Sequence, residues 1–254
     1  VLQLAITGAD RGLYFKARAV DWDKAVLVTI TDASWAGEKL LIDDKVFPRR
    51  SQKGRIIVLA EPSILKGEKA NAYVLSWKST MIKRMCRSTM AAETQSQLAG
   101  VAQGMKLRSV LTDMTGGMTP FSWWETSKST IRHLWLTDCE SLHSYFVNPV
   151  AAGNEDARLE LDLEDLRQIL WEDVKGNPID QLNETDYDMV KWIDTSTMIA
   201  DPLTKNMKPN RLLEFLDTGV LDLEPTPESV VAKMMKQKQR QAAKQDKSAE
   251  TETQ

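Results

Sequence analysis

The order of strand-like and helix-like segments constrains the fold of this chain more than any other feature. Runs of β-branched and aliphatic residues, each of strand length, occupy 25–34, 55–60, 72–77, 131–137 and 188–194. Two longer segments, 88–112 and 157–174, repeat their apolar residues at helical spacing. This order is typical of a mixed α/β domain in which helices cover a sheet and the later strands are connected in parallel.

Residues that favour caps and turns support these limits. Ser88 or Thr89 is a suitable N-cap for the first helix, and Gly176 and Pro178 are typical stop signals after the second. The first three strands follow one another without a helix, which predicts an antiparallel meander. Between the first two strands, the charged segment 37–54 predicts a loop.

The chain of 254 residues is long enough for one large domain with appendages. We expect the domain at 25–220, after a lead-in at 1–24. The charged stretch 221–254 has few large apolar residues, which predicts a frayed or disordered tail. Because the first residue is Val, we expect a segment of a longer polyprotein.

Composition excludes several classes of protein. No apolar run approaches the roughly 18 to 20 residues that span a bilayer, so we expect no membrane segment. The two cysteines, Cys86 and Cys139, form no CxxC pair, which argues against a disulfide framework or a zinc site. A formal net charge of -3 gives no global attraction to nucleic acid, so any such binding must be local.

Four acidic residues lie on different predicted elements. Asp32 is on the first strand, Glu93 near the start of the first helix, Asp138 after the fourth strand and Asp201 before the last helix-like segment. Hydrolysis of a phosphodiester by two metal ions needs carboxylates that converge in this way, because hard cations take oxygen ligands. The pattern therefore favours a site for two divalent cations.

Two other interpretations of these acids remain open. Acidic residues at strand ends, or before a proline as at Asp201, are also common as caps and turn formers. Alternatively, Asp32, Asp138 and Glu172 would suit a transposase or integrase, although that choice leaves Glu93 and Asp201 unexplained. His133 and His143 are expected to be an ordinary strand residue and an ordinary helix residue.

Five words of the sequence resemble, in order, the ribonuclease H domain of Ty1/copia-type LTR retrotransposon Pol polyproteins. They are TDASWAG at 31–37, SWKS at 76–79, STMAAET at 88–94, LTDCESLHSYFVNP at 136–149 and IADPLTKNM at 199–207. The resemblance extends over 25–218 and implies a ribonuclease H-like fold. That fold is a five-stranded mixed sheet of strand order 3-2-1-4-5, flanked by helices.

The resemblance also implies an activity. It is cleavage of the RNA strand of an RNA/DNA hybrid during reverse transcription, with two Mg2+ or Mn2+ ions. Asp32 would bridge both ions, Glu93 and Asp138 would complete one, and Asp201 would support the ion that activates water. Partners would be the hybrid and the reverse transcriptase domain of the same polyprotein, in a cytoplasmic retroelement particle or in the nucleus. The lead-in at 1–24 would then be the end of a polymerase connection segment.

Candidate contacts to nucleic acid lie near these acids. The basic residues Lys78, Lys83, Arg84 and Arg87 precede the first helix and could bind phosphates, although charge runs are often solvated faces. Ser34, Thr89 and Ser141 are candidates for contacts to 2'-hydroxyl groups. Trp123 and Trp124 could stack on bases, or pack in a loop or core.

The sequence departs from the family pattern at two places. Ala91 replaces a glutamate, and RLELDL at 158–163 replaces a segment that carries a histidine. These losses, with the acidic net charge, favour an alternative function: a non-catalytic structural or nucleic-acid-binding module of a decayed or domesticated element. The four intact acids favour the enzyme.

Overall fold

A computed structural model of the protein describes 12–13, 15–42, 45–116, 128, 130–148, 156–171, 188–225, 227, 230 and 235. For 37–42 and 45–49 it describes the backbone alone. Trp123, Trp124, Glu172 and most of the predicted tail lie outside these residues. None of the helices in the described part of the chain has the length and apolar character that a bilayer crossing needs.

The first three strands form the predicted antiparallel meander. They are β1 (Val26–Ile42), β2 (Lys45–Ala60) and β3 (Ala70–Met81). The predicted loop at 37–54 is wrong, because β1 and β2 continue through most of it as a hairpin with Leu40 opposite Phe47. Each strand satisfies the backbone hydrogen bonds of the other, and this outweighs the charged residues that interrupt the apolar pattern.

The later strands complete a mixed sheet. Both β4 (Arg132–Thr137) and β5 (Met189–Trp192) run parallel to their neighbours, and the full order is β5-β4-β1-β2-β3-β6. The predicted order 3-2-1-4-5 and the ribonuclease H-like fold are confirmed. The additional strand β6 (Val220–Leu221) pairs with the start of β3, and two residues are too few to give a pattern in the sequence.

Among the residues that the structure describes, four α-helices flank the sheet: α1 (Thr89–Met114), α2 (Glu140–Val147), α3 (Ala157–Trp171) and α4 (Asn210–Thr218). The side chain of Ser88 accepts a hydrogen bond from the backbone N–H of Ala91, which confirms Ser88 as the N-cap of α1. The α1 and α3 segments confirm the two predicted helices.

Both faces of the sheet are buried. Val28 and Ile30 of β1 point to one face, where they pack with Phe215 of α4. On the other face, Leu27 packs with α1, and Trp135 of β4 packs with α2 and α3. With α1 packed against β1, the first turns of this helix lie beside the part of β1 that carries Asp32.

Candidate metal centre

Three of the four predicted acids meet at one end of the sheet. Ile30 of β1 pairs in parallel with Leu136 of β4, so Asp32 and Asp138, each two residues further on, come next to each other. Glu93 joins them from the second turn of α1. Ligand oxygens of these three carboxylates all lie within 4.8 Å of one another.

Hydrogen bonds between α1 and β1 fix this geometry. The hydroxyl of Ser96 lies 2.8 Å from the backbone oxygen of Asp32, and the hydroxyl of Thr31 donates to Oε1 of Gln97 at 2.6 Å. One turn further, a Cβ on Gly100 would lie 2.4 Å from Cγ2 of Thr31. Glycine at this position therefore permits the close packing that brings α1 and its carboxylate to Asp32.

The three acids are withdrawn from water to different degrees. Asp32 is 0% exposed and Glu93 is 5% exposed, whereas Asp138 is half-buried and keeps the group open on one side. Oε2 of Glu93 is buried and has no hydrogen-bond partner among the described residues. A buried carboxylate oxygen without a donor is costly in free energy unless a cation binds it.

The pKa shifts of the acids also favour a bound cation at this centre. Burial raises the pKa of Glu93 well above its usual value, and the charges of Asp32 and Asp138 add to the rise. Burial also raises the pKa of Asp138, helped by Asp32 and opposed by a hydrogen bond from Thr195. A divalent cation would reverse both effects. The oxygen ligands and the unpartnered Glu93 oxygen therefore fit Mg2+ or Mn2+.

The fourth predicted acid, Asp201, lies at the same end of the sheet but is linked to the others through a lysine. It begins the short 3-10 helix Asp201–Leu203 and is 4% exposed. Nζ of Lys205 donates to Oδ1 of Asp201 at 2.6 Å and to Oδ1 of Asp32 at 3.1 Å. Burial, with the charges of Asp32 and Asp138, raises the pKa of Asp201 to about 6 against the hydrogen bond from Lys205.

The predicted nucleic-acid contacts have different surroundings. Lys78 and Lys83 are exposed. Arg84 forms an ion pair with Asp162 of α3, and Arg87 approaches Asp156, with Nη1 and Oδ2 4.0 Å apart. Asp162 belongs to the RLELDL segment that departs from the family pattern. Two of the four predicted cations are thus already near acids of the protein.

The predicted small polar contacts each lie close to a carboxylate of the centre. Ser34 follows Asp32 by two residues and is half-buried, Thr89 is the exposed first residue of α1, and Ser141 is exposed in the first turn of α2. The indole of Trp192, at the end of β5, donates to the backbone oxygen of Asp138 at 3.0 Å. Ser34, Thr89 and Ser141 thus each lie within four residues of one of the three acids in the chain.

Several functional candidates escaped prediction from the sequence. Lys205 lies four residues after Asp201 in IADPLTKNM, and that spacing was available as a signal. Lys53 and Arg55 of β2 also escaped prediction, and they form a group with the predicted contact Lys78 of β3, which lies directly opposite Arg55. Burial lowers the pKa of Lys53, and the charges of Arg55 and Lys78 lower it further. Only strand register reveals this cluster.

Both histidines lie on the kinds of element that the sequence predicts. His133 lies on β4, and its Nε2 is 2.7 Å from the Thr29 hydroxyl, which confirms it as a strand residue with its own hydrogen bond. His143 lies on α2, as expected. Cys139 is half-buried next to Asp138, with Sγ 3.3 Å from Oγ of Ser141.

No protein-family model and no curated protein matches the chain. Among solved structures, it is similar to the N-terminal RNase H domain of a Mycobacterium tuberculosis protein fused to maltose-binding protein (13% identity, 77% of this chain, 96% of that chain, TM-score 0.38). It is also similar to RNase H1 of Halobacterium salinarum (12%, 74%, 98%, TM-score 0.39). A third is LC11-RNase H1 in complex with an RNA/DNA hybrid (11%, 70%, 93%, TM-score 0.38).

Proposed function

We propose that this protein is a ribonuclease H that cleaves the RNA strand of RNA/DNA hybrids, and that it comes from the Pol polyprotein of a Ty1/copia-type retrotransposon. The cluster of three carboxylates, from Asp32, Glu93 and Asp138, carries the proposal. These acids lie on β1, on α1 and just after β4, and their ligand oxygens come close together. The five sequence words that resemble the family, in the family's order, support the retrotransposon origin. The reverse transcriptase domain of the same polyprotein is the proposed partner.

The residues of the centre have distinct proposed roles. Asp32, Glu93 and Asp138 would hold Mg2+ or Mn2+, with Asp201 beside them. When bound, two such ions lower the pKa of a water nucleophile and neutralise the charge of the phosphate. The half-buried Asp138 leaves the approach open. No histidine or serine nucleophile is required by this chemistry.

The proposed substrate path extends from the open side of the centre. Lys53, Arg55 and Lys78 form a positive strip across β2 and β3, and Lys83 is exposed in the segment that leads into α1. Phosphate contacts of this kind hold a strand without reading its bases. Ser34, Thr89 and Ser141 remain the proposed contacts to 2'-hydroxyl groups, which distinguish RNA from DNA.

A cleavage assay tests the proposal. The purified protein is incubated with a hybrid that carries separate labels on its RNA and DNA strands, in Mg2+ or Mn2+. We expect cleavage of the RNA strand alone. The cleavage rate of Asp138→Asn should be lower by at least about 100-fold, because loss of a metal ligand should cost more than the roughly 10 to 100-fold lost when a residue that hydrogen-bonds to a ligand is replaced. Asp113→Asn, at an exposed aspartate near the end of α1, should keep full activity.

The alternative is a non-catalytic module, and the pairing of Arg84 and Arg87 with acids of the protein favours it. A folded protein that leaves the hybrid intact in both metals would contradict the enzyme. Binding of the hybrid would then distinguish a nucleic-acid-binding module from a structural one. The retrotransposon origin has its own test, since the adjoining upstream coding sequence should encode a reverse transcriptase.

A further inference from the structure

Lys205 places a positive charge on two buried acids. Its ammonium contacts Oδ1 of Asp201 and Oδ1 of Asp32, and these residues are 4% and 0% exposed. The side chain of Lys205 itself is 39% exposed. The ammonium is therefore held by groups that have little access to water, while the Lys205 side chain as a whole is partly exposed.

The local backbone holds this lysine in place. Its N–H donates to the backbone oxygen of Asp201 at 2.9 Å, and the preceding Thr204 hydroxyl donates to Oδ2 of Asp32. A Cβ on Gly54 would lie 2.8 Å from Cβ of Leu203 and from Cγ2 of Thr204, so glycine permits this segment to pack on β2. The approach of Lys205 to Asp32 thus follows from how the whole segment packs.

Asp32 consequently faces two different environments. Toward Glu93 and Asp138, the carboxylate oxygens converge and Oε2 of Glu93 has no partner among the described residues. Toward Asp201, an ammonium already bridges the two carboxylates. An ammonium and a divalent cation take the same carboxylate oxygens and repel each other, so they cannot share the second position.

We propose that Nζ of Lys205 occupies the second of two cation positions, between Asp32 and Asp201. Without substrate the protein then binds one divalent ion, at Asp32, Glu93 and Asp138, and a second ion enters only when Lys205 moves toward solvent. The displaced ammonium would be available to the phosphate backbone of the substrate. This inference rests on the proposed metal centre and assigns its second position.

Calorimetric titration of the chelator-treated protein with Mn2+, without nucleic acid, tests the inference. We expect one ion in the wild type and two in Lys205→Met, because the variant keeps the length of the side chain and removes its charge. Lys205→Arg, which keeps the charge, should bind one ion. The matched control is Lys208→Met, at an exposed lysine three residues further on, and it should also bind one ion.

Thermal unfolding gives a second readout. In EDTA, Lys205→Met should unfold at a lower temperature than the wild type, because two neighbouring buried carboxylates lose their cation. Mn2+ should raise its unfolding temperature by more than it raises that of the wild type, since two ions then stabilise the folded state. Lys208→Met should follow the wild type in both conditions.

The outcomes separate this inference from the proposed function. One ion in both the wild type and Lys205→Met, or two in both, overturns the role of Lys205 and leaves the metal centre standing. Absence of Mn2+ binding in every folded variant overturns the metal centre and this inference together. Two ions in Lys205→Met and one in the other three proteins is the result that supports it.

Discussion

Helix α1 contributes to two buried polar clusters that differ in their charge balance. Near its start, Glu93 joins Asp32 and Asp138. Among the described residues, the one side-chain cation that donates a hydrogen bond to this group is Lys205, at Asp32. About 22 Å further along the helix, at 1.5 Å per residue, Arg108 pairs with Asp188, with Nη1 and Oδ1 2.6 Å apart. We call the first the acidic cluster and the second the paired cluster.

The two clusters are similar in burial. The side chains of Arg108 and Asp188 are 0% and 1% exposed, about as buried as Asp32 and Glu93. Burial alone therefore does not mark the functional site. In the paired cluster, Arg108 and the nearby charge of Lys128 balance the buried carboxylate of Asp188, whereas the acidic cluster has excess negative charge and an open side at Asp138. Charge imbalance beside an opening is what indicates ion binding.

The largest expected effect comes from Glu93→Gln, which removes one charge from the acidic cluster. RNA cleavage should fall by at least about 100-fold, because a metal ligand is lost. In EDTA at neutral pH, the variant should nevertheless unfold at a higher urea concentration than the wild type, because a buried carboxylate with a raised pKa has become neutral. Activity assays and urea unfolding measure the two changes.

Glu68→Gln is the matched control for this prediction. Glu68 is exposed and lies far along the chain from the three acids, so the substitution should change neither cleavage nor the unfolding midpoint. If Glu93→Gln were less stable than the wild type in EDTA, its carboxylate would be stabilising the fold, and the contrast between the two clusters would fail.

Arg108→Met tests the paired cluster and should act in the opposite way. Loss of the guanidinium leaves Asp188 buried without its counterion, which costs about 3 to 5 kcal/mol in the free energy of unfolding. The affinity of the folded protein for Mn2+ should not change. Arg108→Met with Asp188→Leu should recover much of the loss, because an apolar pair can replace a buried ion pair.

Arg211→Met provides the comparison for this variant. Arg211 also forms ion pairs, with Glu214 and Asp222, but it is partly exposed and its partners reach water. Its substitution should lower the free energy of unfolding far less than Arg108→Met does. Equal losses in the two variants would show that the paired cluster has no special importance for stability.

The acidic cluster could be predicted from the sequence because its members stand beside recognisable local patterns. Asp32 and Asp138 follow β-branched runs, and Glu93 follows the N-cap Ser88. The runs also predicted the strands and a mixed α/β domain, whereas the strand order 3-2-1-4-5 came from the resemblance to the family. Ligand roles for the four acids, and the domain limits at 25–220, stay predictions.

The paired cluster could not be predicted, since Arg108 and Asp188 are 80 residues apart in the chain. Neither residue belongs to a local pattern, and only the fold brings Arg108 of α1 next to Asp188, the residue before β5. Lys205 is an intermediate case. Its spacing from Asp201 was visible, but its contact with Asp32 depends on packing through Gly54. The hairpin at 37–54 was missed because paired backbones, rather than apolar side chains, define it.

The smallest expected effect is on the pH dependence of stability in EDTA, where Glu93 of the acidic cluster and His133, beside the paired cluster, should have opposite signs. Glu93 has a folded pKa above its usual value of 4.5, so the folded state holds its proton more tightly and stability falls as pH rises from that value. His133, beside Arg108, has a pKa lowered well below 6.5, mainly by burial. The unfolded chain then binds more protons below pH 6.5, and stability rises with pH up to that value.

Variants at the two positions isolate these contributions. The free energy of unfolding of Glu93→Gln minus that of the wild type, measured in EDTA, should increase as pH rises above 4.5. For His133→Gln, the corresponding difference should decrease as pH rises toward 6.5, because the wild type gains stability there and the variant does not. Saturating Mn2+ should abolish or reverse the first trend and leave the second, since only the acidic cluster would bind the ion. A Mn2+ effect on the His133 trend would mean that the clusters are coupled along α1, and that charge balance does not separate their roles.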